Sequence, residues 1–455
     1  MGKFPATTGR EGPRSPLSSP RPAASSTPEI TPRECACANC QSARRFLALA
    51  VAGVVGPAPS GFAAQAEAAR TSPTHFALKG SGYGSRAVGG DVPTGSGTTA
   101  YRSFGCTNKA GLDRENHQLE EPIPGLGTAS EVKTRVWTRK RGGVVSSYSR
   151  NTIARITMTD SPVGSLEING VLSLSRAFHN KTGFHASHRT TVQSISFTPP
   201  GGEPQAMDLP TPGNPLEIPG VARVAVGEST NRVNREGATV QTDALNVYLT
   251  ATGGRIRLAH TKAQIQSGLI SGVFSGNASG SRSELLDGHV TSGRTPLLVM
   301  PCQGTGGEVR RKSITRSDLT GGLVAQGLNT QERANQDKRR AHGYVQASVE
   351  RLNLGGRFTA RNIVGRVNVE RLAGGKLRRT IEGTTMGRVT VDGEAQSFPD
   401  TDVLEIPGVA RLERNIVRKV KGGLHLVALR VTLLDGTGAV INLGEAKLKV
   451  RASGN

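Results

Sequence analysis

The sequence predicts an all-β protein in which two antiparallel β-sandwich-like units follow one another along the chain. The octapeptide Leu-Glu-Ile-Pro-Gly-Val-Ala-Arg occurs twice, starting at Leu216 and again 188 residues later at Leu404. Apolar and polar residues alternate over long stretches, which is typical of half-buried antiparallel strands. The 455 residues include 58 glycines but only 4% aromatic residues, as expected for many strands joined by turns.

The N-terminal part of the chain differs in composition from the rest. Residues 1–45 are rich in Pro, Ser, Ala and Arg, which predicts a disordered segment because little apolar surface is available for a core. Residues 46–66 follow two arginines, begin with a short apolar run and end in the small residues Ala64 and Ala66. This order is typical of a secretory signal, and the run is shorter than the roughly 20 residues of a membrane span. We expect export and no membrane span in the mature chain.

The remaining chain is predicted to form two β repeat units, residues 80–293 and residues 294–455. In each unit a basic triplet precedes alternating strands, the octapeptide follows, and a hairpin comes last. The alternation is clearest at 166–178 and 352–364. Residues 326–340 interrupt this pattern and are so polar that we expect a loop or an exposed short helix there. The spacing leaves open whether the units fold separately or share one core.

Each copy of the octapeptide predicts a strand, a tight turn and a second strand. Leu and Ile alternate toward Pro219 and Gly220 in the first copy, and toward Pro407 and Gly408 in the second. Proline presets φ at the first corner of a type II turn, and glycine supplies the positive φ that the second corner needs.

The chain is strongly basic, with a formal net charge of +22 at pH 7. Residues 294–455 carry 27 Lys and Arg against 15 Asp and Glu, whereas residues 67–293 carry 23 against 17. Such an excess favours an anionic cell-wall polymer as partner, since clustered cations bind phosphate-rich chains by counter-ion release. An evenly charged surface without a partner is the alternative. The predicted polyanion-binding residues are Arg139, Lys140, Arg141, Arg310, Arg311, Lys312, Lys338, Arg339, Arg340, Arg418 and Lys419.

Aromatic residues are too few for recognition by stacking. The chain has one tryptophan, Trp137, and five tyrosines. Because proteins that bind single-stranded nucleic acids stack the bases on aromatic rings, we expect no specific nucleic-acid partner.

The sequence contains no motif for catalysis or for a cofactor. The G-x-S-x-G, H-E-x-x-H and G-x-x-x-x-G-K-[ST] patterns are absent. His179, His185 and His188, with Asp208 as an oxygen ligand, are the best metal candidates, but their spacing matches no recognised ligand pattern. We therefore predict no catalytic, cofactor-binding or metal-binding residues and interpret the histidines as exposed loop residues.

Two cysteines remain after removal of the N-terminal part, which contains Cys35, Cys37 and Cys40. Cys106 and Cys302 take equivalent places in the two units, and paired cysteines in exported proteins readily form disulfides. We predict a Cys106–Cys302 disulfide, with two separately buried thiols as the alternative.

Several short motifs resemble the choice-of-anchor P family of actinobacterial secreted proteins. They are residues 80–84 (Gly-Ser-Gly-Tyr-Gly), 100–107, 298–302 (Leu-Val-Met-Pro-Cys), 352–356 (Leu-Asn-Leu-Gly-Gly) and the two Leu-Glu-Ile-Pro-Gly strings. The resemblance implies an exported β-rich protein of unknown activity and carries over no catalytic residue. Because the chain ends without an apolar anchor, we expect release or non-covalent retention.

These observations favour a secreted, non-enzymatic β-rich protein of the cell envelope or the extracellular medium. Its expected role is structural or interactive, with anionic polymer as a partner. The alternative is a secreted hydrolase whose site is assembled from separate loops and leaves no sequence motif.

Overall fold

A computed structural model of the chain describes residues 71–88, 98–123, 127–161, 164–220, 222–250, 253–285, 290–291, 293–319 and 322–454. Over these residues the structure contains 29 β strands and no α helix, and all strand pairs are antiparallel. The predicted all-β class is confirmed. The predicted disordered segment 1–45 and signal region 46–66 lie outside the described residues.

The first fifteen strands form two facing sheets, the first sandwich. They are β1 (Ser72–Val88), β2 (Arg102–Ala110), β3 (Asp113–Ile123), β4 (Gly127–Arg141), β5 (Val144–Ser161), β6 (Gly164–Asn180), β7 (Gly183–Thr191), β8 (Ser194–Thr198), β9 (Gln205–Met207), β10 (Leu216–Ile218), β11 (Ala222–Val226), β12 (Ser229–Asn234), β13 (Gly237–Thr242), β14 (Leu245–Leu249) and β15 (Arg255–Gln266). One sheet has the order β10-β11-β14-β15-β1-β2, and β12 and β13 extend it beside β15. The other has the order β3-β4-β5-β6-β8-β9, with β7 also beside β6.

The remaining fourteen strands form the second sandwich. They are β16 (Gly272–Leu285), β17 (Val290–Thr291), β18 (Thr295–Val299), β19 (Arg310–Asp318), β20 (Leu323–Gln336), β21 (Arg340–Leu354), β22 (Phe358–Leu372), β23 (Leu377–Thr380), β24 (Val389–Val391), β25 (Glu394–Gln396), β26 (Val403–Ile406), β27 (Ala410–Val420), β28 (Gly423–Leu433) and β29 (Val440–Ala452). One sheet has the order β17-β16-β29-β28-β27-β26 with β18 beside β16. The other has the order β19-β20-β21-β22-β24-β25 with β23 beside β22.

The strand orders of the two sandwiches correspond closely. β1 lies between β15 and β2 in the first sandwich, and β16 lies between β29 and β18 in the second. The other two sheets also match: the sheet of β3 to β9 in the first sandwich has the same strand order as the sheet of β19 to β25 in the second.

The change from one sandwich to the other occurs earlier than the expected boundary at residue 294. β16 pairs along its length with β29, the last strand of the chain, from Gly272 opposite Ala452 to Glu284 opposite Val440. The second sandwich therefore begins at residue 272, and residues 267–271 link it to β15. The first sandwich likewise begins at residue 72 rather than at residue 80.

Each sandwich buries its apolar side chains between its two sheets. In the first, the core includes Ile156 and Ile168 from one sheet and Val247 and Leu258 from the other, all fully buried. A polar band crosses this core, where the Ser149 hydroxyl donates a 2.8 Å hydrogen bond to the Ser81 carbonyl. The Ser147 hydroxyl likewise donates to the Lys79 carbonyl at 2.8 Å. A shift of one sheet against the other would break these bonds and leave buried hydroxyls unpaired, which costs free energy.

Both copies of the octapeptide form the predicted turn. Gly220 and Gly408 have φ of +74° and +67°, the left-handed conformation that the second corner of a type II turn requires. In the second copy the Val409 amide donates to the Ile406 carbonyl at 3.0 Å, which closes the turn.

The expectation of a loop or short helix at residues 326–340 is wrong. Most of this segment belongs to β20, which lies between β19 and β21 in the sheet. Every second residue is buried, but Thr330, Glu332 and Gln336 are polar. The strand is hard to recognise in the sequence because period-two alternation is detected from apolar residues, and three of its inward-facing residues are polar.

Candidate functional site

The linker between the sandwiches is held by one buried side chain, Gln336 at the end of β20. Its Oε1 accepts hydrogen bonds from the backbone amides of Ile270, Ser271 and Gly272 at 2.9, 3.0 and 3.0 Å. Its Nε2 donates to the Gln303 carbonyl at 2.7 Å. Because the last two linker residues and the first residue of β16 are tied to a core strand in this way, the linker has little freedom to change its path.

A disulfide joins the two sandwiches next to this linker. Cys106 in β2 is bonded to Cys302, which follows β18, with the Cα atoms 5.3 Å apart. Both cysteines are almost fully buried and pack with Leu269 of the linker and Val273 of β16. The predicted pairing is confirmed. The region around this bond and the linker is called the junction below.

The predicted basic clusters lie at the ends of strands that face the junction. The linker leaves β15 at Gln266, and Gln264 of β15 lies opposite Lys79 of β1. The Lys79 carbonyl accepts a 2.8 Å hydrogen bond from the Ser147 hydroxyl of β5. The turn between β4 and β5, with residues 139–141 beside it, is therefore at the junction end of the first sandwich.

Three further clusters lie at the junction end of the second sandwich. Residues 338–340 adjoin the β20–β21 turn, immediately after the Gln336 that binds the linker. Residues 418 and 419 precede the β27–β28 turn, and Gly423 after that turn pairs with Lys449 near the end of β29. Residues 310–312 begin β19, where Arg310 pairs with Glu332 of β20. Clusters up to about 280 residues apart in the sequence thus lie at the ends of the two sandwiches that the linker joins.

Most of these cations are unpaired, but two are engaged by carboxylates. Arg310 lies 3.0 Å from Glu332, which is fully buried, and Arg340 lies 3.3 Å from Glu370. The other nine have no ion-pair partner among the described residues, and all eleven are exposed. Arg310 is therefore a less available polyanion contact than its neighbours Arg311 and Lys312.

A cleft of about 480 Å³ opens between the sandwiches at the junction. The first sandwich lines it with Phe104, Gly105, Thr107, Lys109, Leu112 and Arg114. The second sandwich lines it with Ser275, Lys421, Lys449 and Arg451. The lining contains five cationic side chains and no carboxylate.

Strand register explains how the second sandwich presents its cations. Lys449 of β29 lies opposite Ser275 of β16 on one side and Gly423 of β28 on the other. Lys421 lies in the turn just before Gly423. Arg451 follows Lys449 by two residues and so lies on the same face of β29, since side chains alternate along a strand. The Arg451 guanidinium also donates a hydrogen bond to the Cys106 carbonyl, which links the two walls of the cleft.

The charges of the cleft are not balanced by nearby carboxylates. Burial, together with the charges of Lys447 and Arg451, lowers the pKa of Lys449. Burial and the charge of Arg114 lower the pKa of Arg451. Because the neighbours that act on both groups are cations, the protonated forms repel each other, and an anion in the cleft would relieve that repulsion.

The cations of the cleft are not among the residues predicted to bind polyanions. Lys109 and Arg114 are isolated basic residues, whereas Lys421 is two residues beyond the predicted pair Arg418 and Lys419, and only the fold brings the three to one place. The one usable signal is Lys447-Leu-Lys449-Val-Arg451, in which cations alternate with apolar residues and so occupy one face of a strand.

The histidines that were weighed as metal ligands do not come together. His179 packs against Phe76 and Phe184, whereas His185 lies within hydrogen-bond distance of Asn180 and Thr182. The part of the chain that the structure describes contains no group of three or more His, Cys, Asp or Glu side chains that could hold a metal ion.

Comparison with known proteins adds no family or relative. No protein-family model matches the chain, and no curated protein matches its sequence. The resemblance to the choice-of-anchor P family therefore stays a prediction. Within the described residues, no helix is long and apolar enough to cross a membrane.

Proposed function

We propose that this protein is a secreted, non-enzymatic β-rich protein of the cell envelope or extracellular medium that binds an anionic polymer at its junction. The observation that carries the proposal is the placement of basic clusters at the junction ends of both sandwiches, together with a cleft whose charged lining residues are all cationic. The Cys106–Cys302 disulfide supports an oxidising compartment, as expected for an exported protein.

The exposed clusters suit a partner that is recognised mainly by its charge. Arg139, Lys140 and Arg141 of one sandwich and Lys338 and Arg339 of the other are exposed and have no ion-pair partner among the described residues. Neutralising several phosphates of a polymer releases condensed counter-ions, so affinity falls steeply with salt. If roughly four to six cations engage phosphates, the log–log slope of affinity against salt is about −3 to −5.

The aromatic residues of the first sandwich support a charge-based rather than a stacking-based partner. Trp137 stacks on Tyr148 with ring centroids 4.7 Å apart and is also contacted by Arg135. Arg176 lies over both Tyr148 and Phe178, with its guanidinium carbon 4.0 Å from the Phe178 centroid. Because these rings are engaged by side chains of the protein itself, they are poor platforms for bases or sugars.

The experiment is a titration of the full-length protein with poly(glycerol phosphate) at several salt concentrations. We expect the triple change Lys338→Ser, Arg339→Ser and Arg340→Ser to lower both the affinity and the salt slope, since each lost phosphate contact removes about 0.7–0.9 from the slope.

The control removes the same charge from the opposite end of the second sandwich. It replaces three exposed residues that adjoin the β21–β22 turn or β24, namely Arg357, Arg361 and Arg388. Each triple thus contains one arginine with an ion-pair partner, Arg357 with Asp392 in the control and Arg340 with Glu370 in the test variant. Replacement of the control triple by Ser should change polymer affinity much less. Equal losses in the two triple variants, or binding that does not depend on salt, would contradict the proposed junction site.

A further inference from the structure

The cleft differs from the exposed basic clusters because it is a bounded space rather than an open surface. Its cations come from both sandwiches, with Lys109 and Arg114 on one wall and Lys421, Lys449 and Arg451 on the other. We propose that this cleft is a discrete binding site for the phosphate group of a phosphorylated polyol or sugar.

The charge of the cleft requires an anion of more than one negative charge. None of its five cations forms an ion pair with a carboxylate among the described residues, and Lys449 is half-buried. Holding like charges around one cleft costs free energy unless a counter-charge is present, most of all at half-buried Lys449, since the other four cations are exposed. A doubly charged phosphate monoester offsets this repulsion better than a single carboxylate does.

The donors of the cleft also suit the oxygens of a phosphate. The guanidinium of Arg451 carries five N–H donors in a planar fork. One nitrogen donates to the Cys106 carbonyl, and the remaining N–H groups can donate to a ligand. Lys449 supplies an ammonium as a compact point charge, and Ser275 opposite it supplies a hydroxyl. A tetrahedral oxyanion has several acceptor oxygens, so it can accept from all three side chains at once.

The cleft has room and an apolar wall for a carbon skeleton beside the phosphate. Its volume of about 480 Å³ lies within the range of about 300–1,000 Å³ that is usual for small-molecule sites. Leu112 is half-buried on the side that belongs to the first sandwich, where Phe104 offers little accessible surface because it is 1% exposed and packed in the core. Contact between this apolar surface and the CH groups of a polyol or sugar removes both from water, which is favourable. A phosphate ester should therefore bind more tightly than inorganic phosphate, which has no CH groups.

The walls of the cleft are fixed before a ligand arrives. Gly105 and Thr107 flank Cys106, whose disulfide to Cys302 ties β2 to the second sandwich. The Arg451 hydrogen bond to the Cys106 carbonyl crosses between the walls. Because the disulfide holds the backbone of one wall and the Arg451 guanidinium is already hydrogen-bonded, a small anion loses less of its binding free energy than it would on a mobile surface.

This inference deepens the proposed function and rests on it, since a phosphate-bearing polymer would supply the group that the cleft takes. The two can nevertheless fail separately. Polymer binding depends on the exposed clusters, whereas binding of a small phosphate ester depends on the cleft.

The test is calorimetric titration of the full-length protein with glycerol 3-phosphate at pH 7 and constant ionic strength. We expect saturable binding at one site, weaker binding of inorganic phosphate, and no heat from glycerol. Lys449→Met should weaken glycerol 3-phosphate binding about tenfold or more, as expected for loss of a charged hydrogen-bond donor. Lys421→Met, in an exposed turn where folding is not at risk, should weaken it in the same direction.

Two further variants separate the cleft from the clusters and from general charge. Arg388→Gln removes an exposed charge at the far end of the second sandwich and should leave affinity within about twofold, because distant exposed charges are screened. The triple Ser variant at residues 338–340 should lose polymer affinity but keep glycerol 3-phosphate affinity.

The outcomes distinguish the two proposals. Absence of saturable binding by the wild-type protein, or unchanged affinity in both Lys449→Met and Lys421→Met, would overturn the cleft site even if polymer binds. Equal affinity for inorganic phosphate and glycerol 3-phosphate would overturn the role of Leu112. Saturable glycerol 3-phosphate binding without polymer binding would keep the cleft site and overturn the proposed function.

Discussion

His260 in the first sandwich and Glu445 in the second occupy equivalent positions, each directly after a residue with positive φ in the last strand of its sandwich. The preceding residues are Ala259 with φ of +51° and Gly444 with φ of +62°. His260 hydrogen-bonds a buried carboxylate, Asp243, at 2.6 Å, whereas Glu445 hydrogen-bonds an imidazole, His425, at 3.0 Å. Each sandwich thus joins a buried acid and a histidine, with the histidine on the last strand in the first sandwich and the acid on the last strand in the second.

An arginine completes each pair. The Arg257 guanidinium donates to Asp243 at 2.6 Å in the first sandwich, and Arg294 lies 3.3 Å from Glu445 in the second. Burial opposes ionisation of both carboxylates, but their histidine and arginine partners lower the pKa of each, that of Glu445 to about 2. Both groups are thus held as buried anions by neighbouring donors, which points to a role in stability.

The first prediction is that Glu445 makes the stability of the fold depend on pH. Its pKa falls from 4.5 in a free carboxyl to about 2 in the folded protein, so its contribution is complete above pH 4.5 and is lost as pH falls towards 2. Glu445→Gln should cost about 3 kcal/mol of unfolding free energy at pH 7, and much less below pH 2.5. Urea unfolding across this pH range measures both values.

The control for this change is Asp435→Asn. Hydrogen bonds from Thr437 lower the pKa of Asp435 as well, but this carboxylate is fully exposed. Its replacement should alter the pH profile far less than Glu445→Gln does. Equal profiles for the two variants would mean that the buried ion pairs around Glu445 contribute nothing specific.

Local sequence signals predict the turns and hairpins of this fold well. The positive φ at Gly220 and Gly408 follows from Pro-Gly chemistry, and the last hairpin of each sandwich follows from period-two alternation. These features depend on residues close together in the chain. The Cys106–Cys302 disulfide could also be predicted, because the equivalent positions of the two cysteines limit the choices.

Features that depend on long-range packing were missed. The sequence predicts a loop or an exposed short helix for the strand containing Thr330, Glu332 and Gln336, because its buried face is polar. The partners lie elsewhere in the fold: Thr330 donates to the Lys312 carbonyl, Glu332 forms an ion pair with Arg310, and Gln336 accepts from the Gly272 amide. The cleft was missed for a related reason. Lys109 and Lys449 are 340 residues apart, and although the alternating cations at 447–451 mark one basic strand face, nothing around Lys109 indicates that it lies beside that face.

The second prediction concerns the hydrogen bonds between Gln336 and the linker between the sandwiches. Gln336→Ala removes the acceptor for the amides of Ile270, Ser271 and Gly272. We expect a loss of about 3 kcal/mol in unfolding free energy, because unpaired buried donors cost about 1–3 kcal/mol each and water can replace some of the lost bonds. Hydrogen exchange at these three amides should become faster, whereas Gln326→Ala, an exposed change on the same strand, should affect neither measurement.

The third prediction separates structural from binding arginines in the cluster at residues 310–312. Burial raises the pKa of Glu332 and the Arg310 charge opposes that rise. Arg310→Gln therefore raises the pKa of Glu332 further, and its destabilising effect should be absent at low pH and grow to about 1–3 kcal/mol as pH rises through the folded-state pKa of Glu332, which burial places above 4.5.

Arg311→Gln is the matched comparison, since Arg311 is adjacent, exposed and has no ion-pair partner among the described residues. It should lower affinity for poly(glycerol phosphate) without changing stability. The reverse pattern, with Arg310→Gln affecting polymer binding alone, would contradict the ion pair with Glu332.

The last prediction connects the disulfide to the cleft beside it. Replacing both Cys106 and Cys302 by Ser should reduce unfolding free energy by about 2–4 kcal/mol, because the bond restricts a long loop of the unfolded chain. Gly105 and Thr107 line the cleft on either side of Cys106, so the same change should loosen one wall and weaken glycerol 3-phosphate binding. Polymer affinity should fall less, since the exposed clusters do not depend on a fixed wall. Denaturant unfolding and calorimetry on the same preparation measure both effects, and peptide mapping without reductant verifies the bond in the wild-type protein. Unchanged ester affinity in a destabilised double variant would show that the bond supports the fold without organising the cleft.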